Sequence, residues 1–149
     1  MKARLIAGCL ALTFVLGIAA MSETGSGSAA KPAASLVGRG RYLVNDVGLC
    51  GDCHTPMDNR GRPVKGQYLQ GAPIMFKPTV SVPGWMAIAP GIAGLSQWND
   101  DQAIAFFMTG KKPDGAVSAP PMPAFRFNKA DATAIVAYLK SLGTDAKGK

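Results

Sequence analysis

Cys50-Gly51-Asp52-Cys53-His54 is the stretch of this 149-residue chain that decides its fold. It fits the pattern Cys-x-x-Cys-His, the attachment signature for c-type haem. Two thiols three residues apart can add to the two vinyl groups at one edge of a porphyrin, and the adjacent imidazole can then turn under the ring towards the iron. The pattern therefore predicts one covalent haem c, attached through Cys50 and Cys53, with His54 as an iron ligand.

Other uses of two cysteines and a histidine fit this sequence less well. A thioredoxin-type redox pair needs a preceding strand in a βαβ unit, whereas a helix is predicted before Cys50. A structural zinc site usually takes four ligands, but His54 is the single histidine and Cys9 lies in the N-terminal apolar run. A disulfide between Cys50 and Cys53 would close a tight, strained ring. Haem attachment is therefore the favoured interpretation.

The first 22 residues predict a secretion signal. Lys2 and Arg4 form a positive start, Leu5 to Ala20 is almost wholly apolar, and small residues follow. We expect cleavage near Ala20 or Ser22. An uncleaved membrane anchor is the alternative, although a full span usually takes about 20 apolar residues. Export would place the chain in the periplasm or another extracytoplasmic space, where thiols oxidise.

A linker and one folded domain are expected after the signal. Residues 23–34 are small, polar and Gly/Ser-rich, which predicts a flexible linker. The domain should span residues 35–145. Helical periodicity and capping residues predict helices at 35–48, about 100–109 and 129–142. The expected caps are Asn99 and Gly110 for the second helix and Asn128 and Gly143 for the third.

A long segment without helical periodicity separates the first two predicted helices. Residues 55–95 are rich in glycine and proline. Residues 80–82 and 85–88 flank Pro83-Gly84 and predict a short hairpin. A loop of this length is unusual in a compact domain unless it wraps a cofactor. The predicted fold class is all-α, with three to four helices and long Gly/Pro-rich loops wrapped around one haem.

Methionine is the natural second iron ligand, because the chain has no other histidine. The candidates are Met57, Met75, Met86, Met108 and Met122. Met57 is too close in sequence to His54 to cross the ring, and Met108 is expected to pack within a helix. Met75 and Met86 remain candidates in the loop. Met122 is the predicted ligand, because the stiff segment Pro120-Pro121-Met122-Pro123 can hold a thioether at a fixed distance.

These motifs together resemble the class I monohaem c-type cytochromes over Leu36 to Gly143. The resemblance implies a cytochrome c fold in which the first and last helices cross at a glycine and an aromatic residue. On this basis Gly38 and Tyr42 correspond to that pair on the first helix. Their partners on the last helix would be Ile135 and Tyr138.

A second similarity is to the cytochrome c domains that serve alcohol or aldehyde dehydrogenases. It is carried by residues 40–43, 50–56 and 121–123. The wider resemblance also implies a loop carbonyl that accepts a hydrogen bond from His54, for which Pro63 is the candidate. The resemblance does not assign the residues that contact the haem propionates, for which Trp85, Trp98 and Arg126 are the candidates.

The expected function is single-electron transfer in the periplasm, within a respiratory chain and without catalysis by the chain itself. Loss of Lys2 and Arg4 would leave 14 basic residues against 9 acidic ones, a net charge of +5. This net charge is too small to predict nucleic-acid binding. It favours redox partners with acidic patches, such as a dehydrogenase, an oxidase or another cytochrome. The alternatives are a haem subunit fixed in a dehydrogenase complex and a five-coordinate haem enzyme or sensor. Membrane association would occur through the N-terminus if the signal is not cleaved.

Overall fold

The computed structural model describes residues 32–145 of the chain, with the side chains of residues 35–143. The predicted signal peptide and linker lie outside these residues, except for residues 32–34, which are helical. The helices are α1 (Pro32–Tyr42), α2 (Cys50–His54), α3 (Asp100–Thr109) and α4 (Lys129–Asp145), and a π-helical segment, Leu43–Val47, continues α1. Two strands, β1 (Gly71–Pro73) and β2 (Ile88–Pro90), pair antiparallel. The predicted mainly helical fold is confirmed.

The crossing of α1 and α4 is the closest contact between helices. A Cβ atom on Gly40 would lie 1.9 Å from the backbone oxygen of Ala134 and 2.7 Å from Cβ of Tyr138. A Cβ on Gly38 would meet nothing within 4 Å. Gly40 is therefore the crossing glycine, and the assignment of that role to Gly38 was wrong. Tyr138 does lie at the crossing, whereas Tyr42 is 51% exposed.

The second predicted helix is confirmed with its caps. Asn99 Oδ1 accepts a hydrogen bond from the Gln102 N–H, and Gln102 Oε1 accepts one from the Asn99 N–H, so the capping box is complete. Gly110 ends the helix in the left-handed region, at φ 70°.

The last helix begins as predicted and ends later. Asn128 Oδ1 accepts a hydrogen bond from the Asp131 N–H in the first turn. The helix continues through Gly143, which was expected to end it, and reaches Asp145, the last residue that the structure describes. A Cβ on Gly143 would lie 2.7 Å from Cα of Gly94, and the Gly94 N–H donates to the Leu139 carbonyl at 2.7 Å. Gly143 therefore allows the loop of residues 55–95, the wrapping loop, to come close to α4, and it does not end the helix.

The predicted hairpin around Pro83-Gly84 was wrong. A turn does form there, since the Trp85 N–H donates to the Val82 carbonyl at 3.2 Å and Gly84 has a φ of 74°. The segments on either side do not pair with each other. Ile88 pairs instead with Pro73, and Pro90 pairs with Gly71. The sheet therefore joins two distant points of the wrapping loop.

The core lies between α1, α3, α4 and the π-helical segment. Its buried apolar side chains include Leu43, Val44, Phe107, Ile135 and Leu139. Leu69, from the wrapping loop, is also completely buried in this cluster. Within residues 32–145, no helix combines the length and the hydropathy needed to cross a membrane.

Candidate functional site

The chain enters the Cys-x-x-Cys-His motif through a sharp change of direction. The Gly48 N–H donates to the Leu43 carbonyl at 2.7 Å, which closes the π-helical segment. Leu49 then adopts a left-handed φ of 49°, which is uncommon for a residue other than glycine. Such conformations persist only where the surrounding structure holds them, and they cluster at functional sites. α2 begins directly afterwards, at Cys50.

The two cysteines are half-buried and carry free thiols. Their spacing in α2 is i, i+3, which puts both side chains on one face of the helix. Burial raises the pKa of the Cys50 thiol to about 11. A reactive redox cysteine has a lowered pKa, so this environment argues against a thioredoxin-type pair. Among the residues that the structure describes, no group of three His, Cys, Asp or Glu side chains could hold a metal ion.

His54 is buried and oriented by one hydrogen bond. Its Nδ1 lies 2.7 Å from the Pro90 carbonyl oxygen. A carbonyl only accepts hydrogen bonds, so Nδ1 carries the proton and Nε2 is left as the nitrogen that can bind iron. Burial lowers the pKa of His54, against a smaller opposing effect of the Pro90 carbonyl. A lowered pKa favours the neutral imidazole, which is the form that binds a metal.

The supporting carbonyl is not that of Pro63. Pro63 forms a bridge with Met57 and lines a second, smaller cavity together with Thr55 and Tyr68. Pro90 takes the supporting role, because it is paired with Gly71 at the end of the small sheet. Sequence reasoning missed Pro90, which is 36 residues from His54 and carries no local motif.

Cys50, Cys53 and His54 line one cavity of about 400 Å³. This volume is in the range of small-molecule and cofactor sites, roughly 300–1,000 Å³. The other walls are mainly apolar and come from the wrapping loop, α3 and the segment after α3, for example Ile92, Leu95, Phe106, Phe107 and Phe125. The long loop that the sequence predicted does enclose this space.

The five candidate methionines differ in their position relative to this cavity. Met122 and Met86 both line the cavity, and Met75 does not. Met122 is half-buried and packs against the core, whereas Met86 is 51% exposed and Met75 is 75% exposed. Met57 lines the second cavity, and Met108 packs against the core without reaching the first cavity.

The segment that carries Met122 is fixed at several points. The Met122 N–H donates to the Ala119 carbonyl at 3.1 Å, and the Ser118 N–H donates to the Gly110 carbonyl at 3.2 Å. The Met86 N–H donates to the Pro120 carbonyl at 2.8 Å, which joins the wrapping loop to this segment. These hydrogen bonds hold the chain that leads into Met122, and Pro121 and Pro123 restrict the backbone on either side of it.

The polar residues on the cavity wall differ from those expected. Trp98 lines the cavity, whereas Trp85 and Arg126 do not. Gln97 and Lys112 also line it, and sequence reasoning had not singled them out. Lys112 follows the C-cap of α3 in a short turn, and only the tertiary structure brings that turn to the cavity.

Comparison with known proteins identifies the family. The sequence profile of cytochrome c matches residues 37–143. The chain belongs to the cytochrome c family. It is 33% identical over 119 residues to the "Fructose dehydrogenase cytochrome subunit" of Gluconobacter japonicus, covering 73% of this chain and 22% of that protein.

Further relatives have related names. The chain is 31% identical to the "Alcohol dehydrogenase (quinone), cytochrome c subunit" of Gluconobacter oxydans, over 76% of this chain and 25% of that protein. It is 32% identical to the "Gluconate 2-dehydrogenase cytochrome c subunit" of Pantoea cypripedii, over 72% of this chain and 26% of that protein. The chain thus spans about a quarter of the length of these relatives. It is an electron-transfer domain of the cytochrome c family, related to dehydrogenase cytochrome subunits.

Membership of this family implies haem c, and the described residues fit it. Two free thiols and a neutral imidazole lie on the wall of one apolar cavity. The imidazole has one nitrogen engaged by a carbonyl and the other available. A thioether reaches the same cavity from a separate segment. Cys50 and Cys53 would hold the group covalently, and His54 and Met122 are the predicted iron ligands.

Proposed function

We propose that this chain is a periplasmic electron-transfer protein. In this proposal it carries single electrons through one covalent haem c, ligated by His54 and Met122. The donor would be a dehydrogenase or a respiratory complex, and electrons would pass to a terminal acceptor through a respiratory chain. The chain would itself catalyse no reaction on a substrate.

The observation that carries the proposal is the hydrogen bond from His54 Nδ1 to the Pro90 carbonyl at 2.7 Å. It is a feature expected of a histidine that must keep one nitrogen ready for a metal. The two free thiols beside it account for the attachment of a porphyrin edge. A buried histidine of any kind needs a partner for its ring N–H, so the argument also depends on the two thiols that line the same cavity as His54.

When bound, the haem supplies one site that alternates between ferrous and ferric iron. The residues of this chain do the remaining work. Phe106, Phe107 and their apolar neighbours exclude water and disfavour extra charge in the cavity. The anchored Met122 segment keeps a soft, weak donor in place, which favours the ferrous state and raises the potential. Side chains fixed in this way would limit the reorganisation that accompanies electron transfer.

A fixed haem subunit of a dehydrogenase complex is the second candidate. It is favoured by the names of the relatives, which are cytochrome subunits of fructose, alcohol and gluconate dehydrogenases. Under this proposal a dehydrogenase would be the electron donor, and it would dock through acidic patches. Copurification with a dehydrogenase from native membranes would favour the fixed subunit. Recovery of the chain as a free protein would favour a diffusing electron carrier.

Intact mass of the protein from cells competent in cytochrome maturation tests attachment. We expect the mass of the polypeptide plus one haem, which acid-acetone should fail to extract. The N-terminus read in the same spectrum would test the proposed signal cleavage near Ala20 or Ser22. A clean apoprotein mass would contradict the proposal, and a mass with more than one haem would contradict the monohaem assignment.

A further inference from the structure

Thr55 follows His54 directly and is almost completely buried, with 2% of its surface exposed. Its Oγ1 accepts a hydrogen bond from the Leu69 N–H at 3.0 Å. Leu69 is completely buried and has a left-handed φ of 58°. A side chain as large as leucine adopts this conformation only where its surroundings hold it. The Thr55 hydroxyl is therefore one of the contacts that fix Leu69.

Leu69 in turn is joined to the segment that carries Pro90. Its carbonyl accepts hydrogen bonds from the N–H groups of Ile92 at 2.9 Å and Ala93 at 3.1 Å. Two residues after Leu69, Gly71 pairs with Pro90 in the sheet. A Cβ on Gly71 would lie 3.0 Å from the Pro90 carbonyl carbon. The two backbones are thus too close to shift independently.

These contacts form a closed ring that begins and ends at the motif histidine. It runs from His54 to Thr55, through Leu69 to the paired strands, and from the Pro90 carbonyl back to His54 Nδ1. We infer that Thr55 is the positioning residue that holds the Pro90 carbonyl on His54 and so tunes the reduction potential of the haem. The inference rests on the proposed function, since a potential can be measured only in the haem-loaded protein.

Loss of the Thr55 hydroxyl would leave the Leu69 N–H buried without a partner, which is unfavourable. The strand pair would relax to recover a partner, and the Pro90 carbonyl would move with it. A weaker bond at Nδ1 makes the imidazole a poorer electron donor to the iron. Ferric iron loses more stabilisation than ferrous iron, so the midpoint potential rises.

The test compares haem-loaded Thr55→Val and Thr55→Ser with the unaltered protein. The valine variant keeps the shape and loses the hydroxyl, and we expect a higher midpoint potential. The His54 Nδ1 proton should exchange with solvent roughly tenfold faster, as expected for the loss of one hydrogen bond of ordinary strength. Thr55→Ser keeps the hydroxyl and should restore both values. Val136→Ala is the control, because Val136 is buried in α4 away from the cavity and should lower stability without changing the potential.

Hydrogen exchange with solvent, measured in the unaltered protein, provides a test that needs no variant. The Leu69 amide and the His54 Nδ1 proton should share one opening equilibrium, since the ring opens as a unit. The inference is overturned if the two protons exchange by unrelated openings. It is equally overturned if Thr55→Val loses stability but keeps the potential and exchange rate of the unaltered protein. Failure of the proposed function would look different, because the unaltered protein would then lack covalent haem or a midpoint potential.

Discussion

Gly40→Ala tests the helix crossing on which the site is built. The added methyl group would lie 1.9 Å from the Ala134 oxygen, and the nearest atoms are backbone. The helices α1 and α4 would have to separate by roughly 1.5 Å to restore ordinary contact distances. Overpacking a core typically lowers the free energy of unfolding by about 1–3 kcal/mol. We expect a value near the upper end, because the two nearest atoms belong to the Ala134 backbone, which cannot change rotamer. The gain in helix propensity from glycine to alanine offsets about 1 kcal/mol, which leaves a net loss of about 2 kcal/mol.

Gly38→Ala is the matched control on the same helix. A Cβ at Gly38 meets nothing within 4 Å, so the same substitution should raise the free energy of unfolding by about 0.5–1 kcal/mol through helix propensity alone. Denaturant unfolding followed by far-UV circular dichroism would measure both variants at equal haem content. The reasoning is refuted if the two variants change stability in the same direction.

Two further predictions concern the cofactor and the surface. Cys50→Ala combined with Cys53→Ala should leave a largely unfolded or rapidly degraded chain, because the cavity would lose the group that fills it; a cooperative melt with native helical content would count against this. The hydrogen bond from Arg39, at 2.9 Å, holds the pKa of Asp131 below its ordinary value of 3.8. A lowered carboxyl pKa stabilises the fold above the unfolded pKa, and that contribution is lost as pH falls through the folded value. Asp131→Asn should therefore be less stable than the unaltered protein at neutral pH, and the difference should shrink below about pH 4; a difference independent of pH would contradict the assignment.

Local sequence predicted the features that depend on neighbouring residues. The attachment motif, the capping box at Asn99 and the left-handed end at Gly110 each involve contacts within a few residues. The prolines around Met122 predict a stiff segment, whereas its place on the cavity wall also depends on the distant contact between the Met86 N–H and the Pro120 carbonyl. Because the contacts of the motif and of the helix caps are local, the spacing of their residues in the sequence is enough to identify them.

Features that depend on distant contacts were not predictable in the same way. Gly38 and Gly40 are two residues apart, and successive helical residues are rotated by about 100°, so only the docked α4 decides which glycine faces it. The His54 support comes from Pro90, 36 residues away, rather than from the nearer Pro63. Gly143 lies within α4, where the backbone of Gly94 comes close to it, rather than at the end of the helix. In each case the residue type indicated a role, and the tertiary structure determined its position.

The absorption spectrum of the ferric protein, with and without Met122→Ala, tests the central claim most directly. Unaltered protein with His54 and Met122 on the iron should be low-spin and show a sulfur-to-iron charge-transfer band near the red end. Met122→Ala should lose that band and lower the midpoint potential, within the total range of about 0.8 V that axial ligands span. Met86→Ala and Met75→Ala are the controls and should keep the band. The account is contradicted if Met122→Ala keeps the band while Met86→Ala loses it, or if the unaltered protein is high-spin.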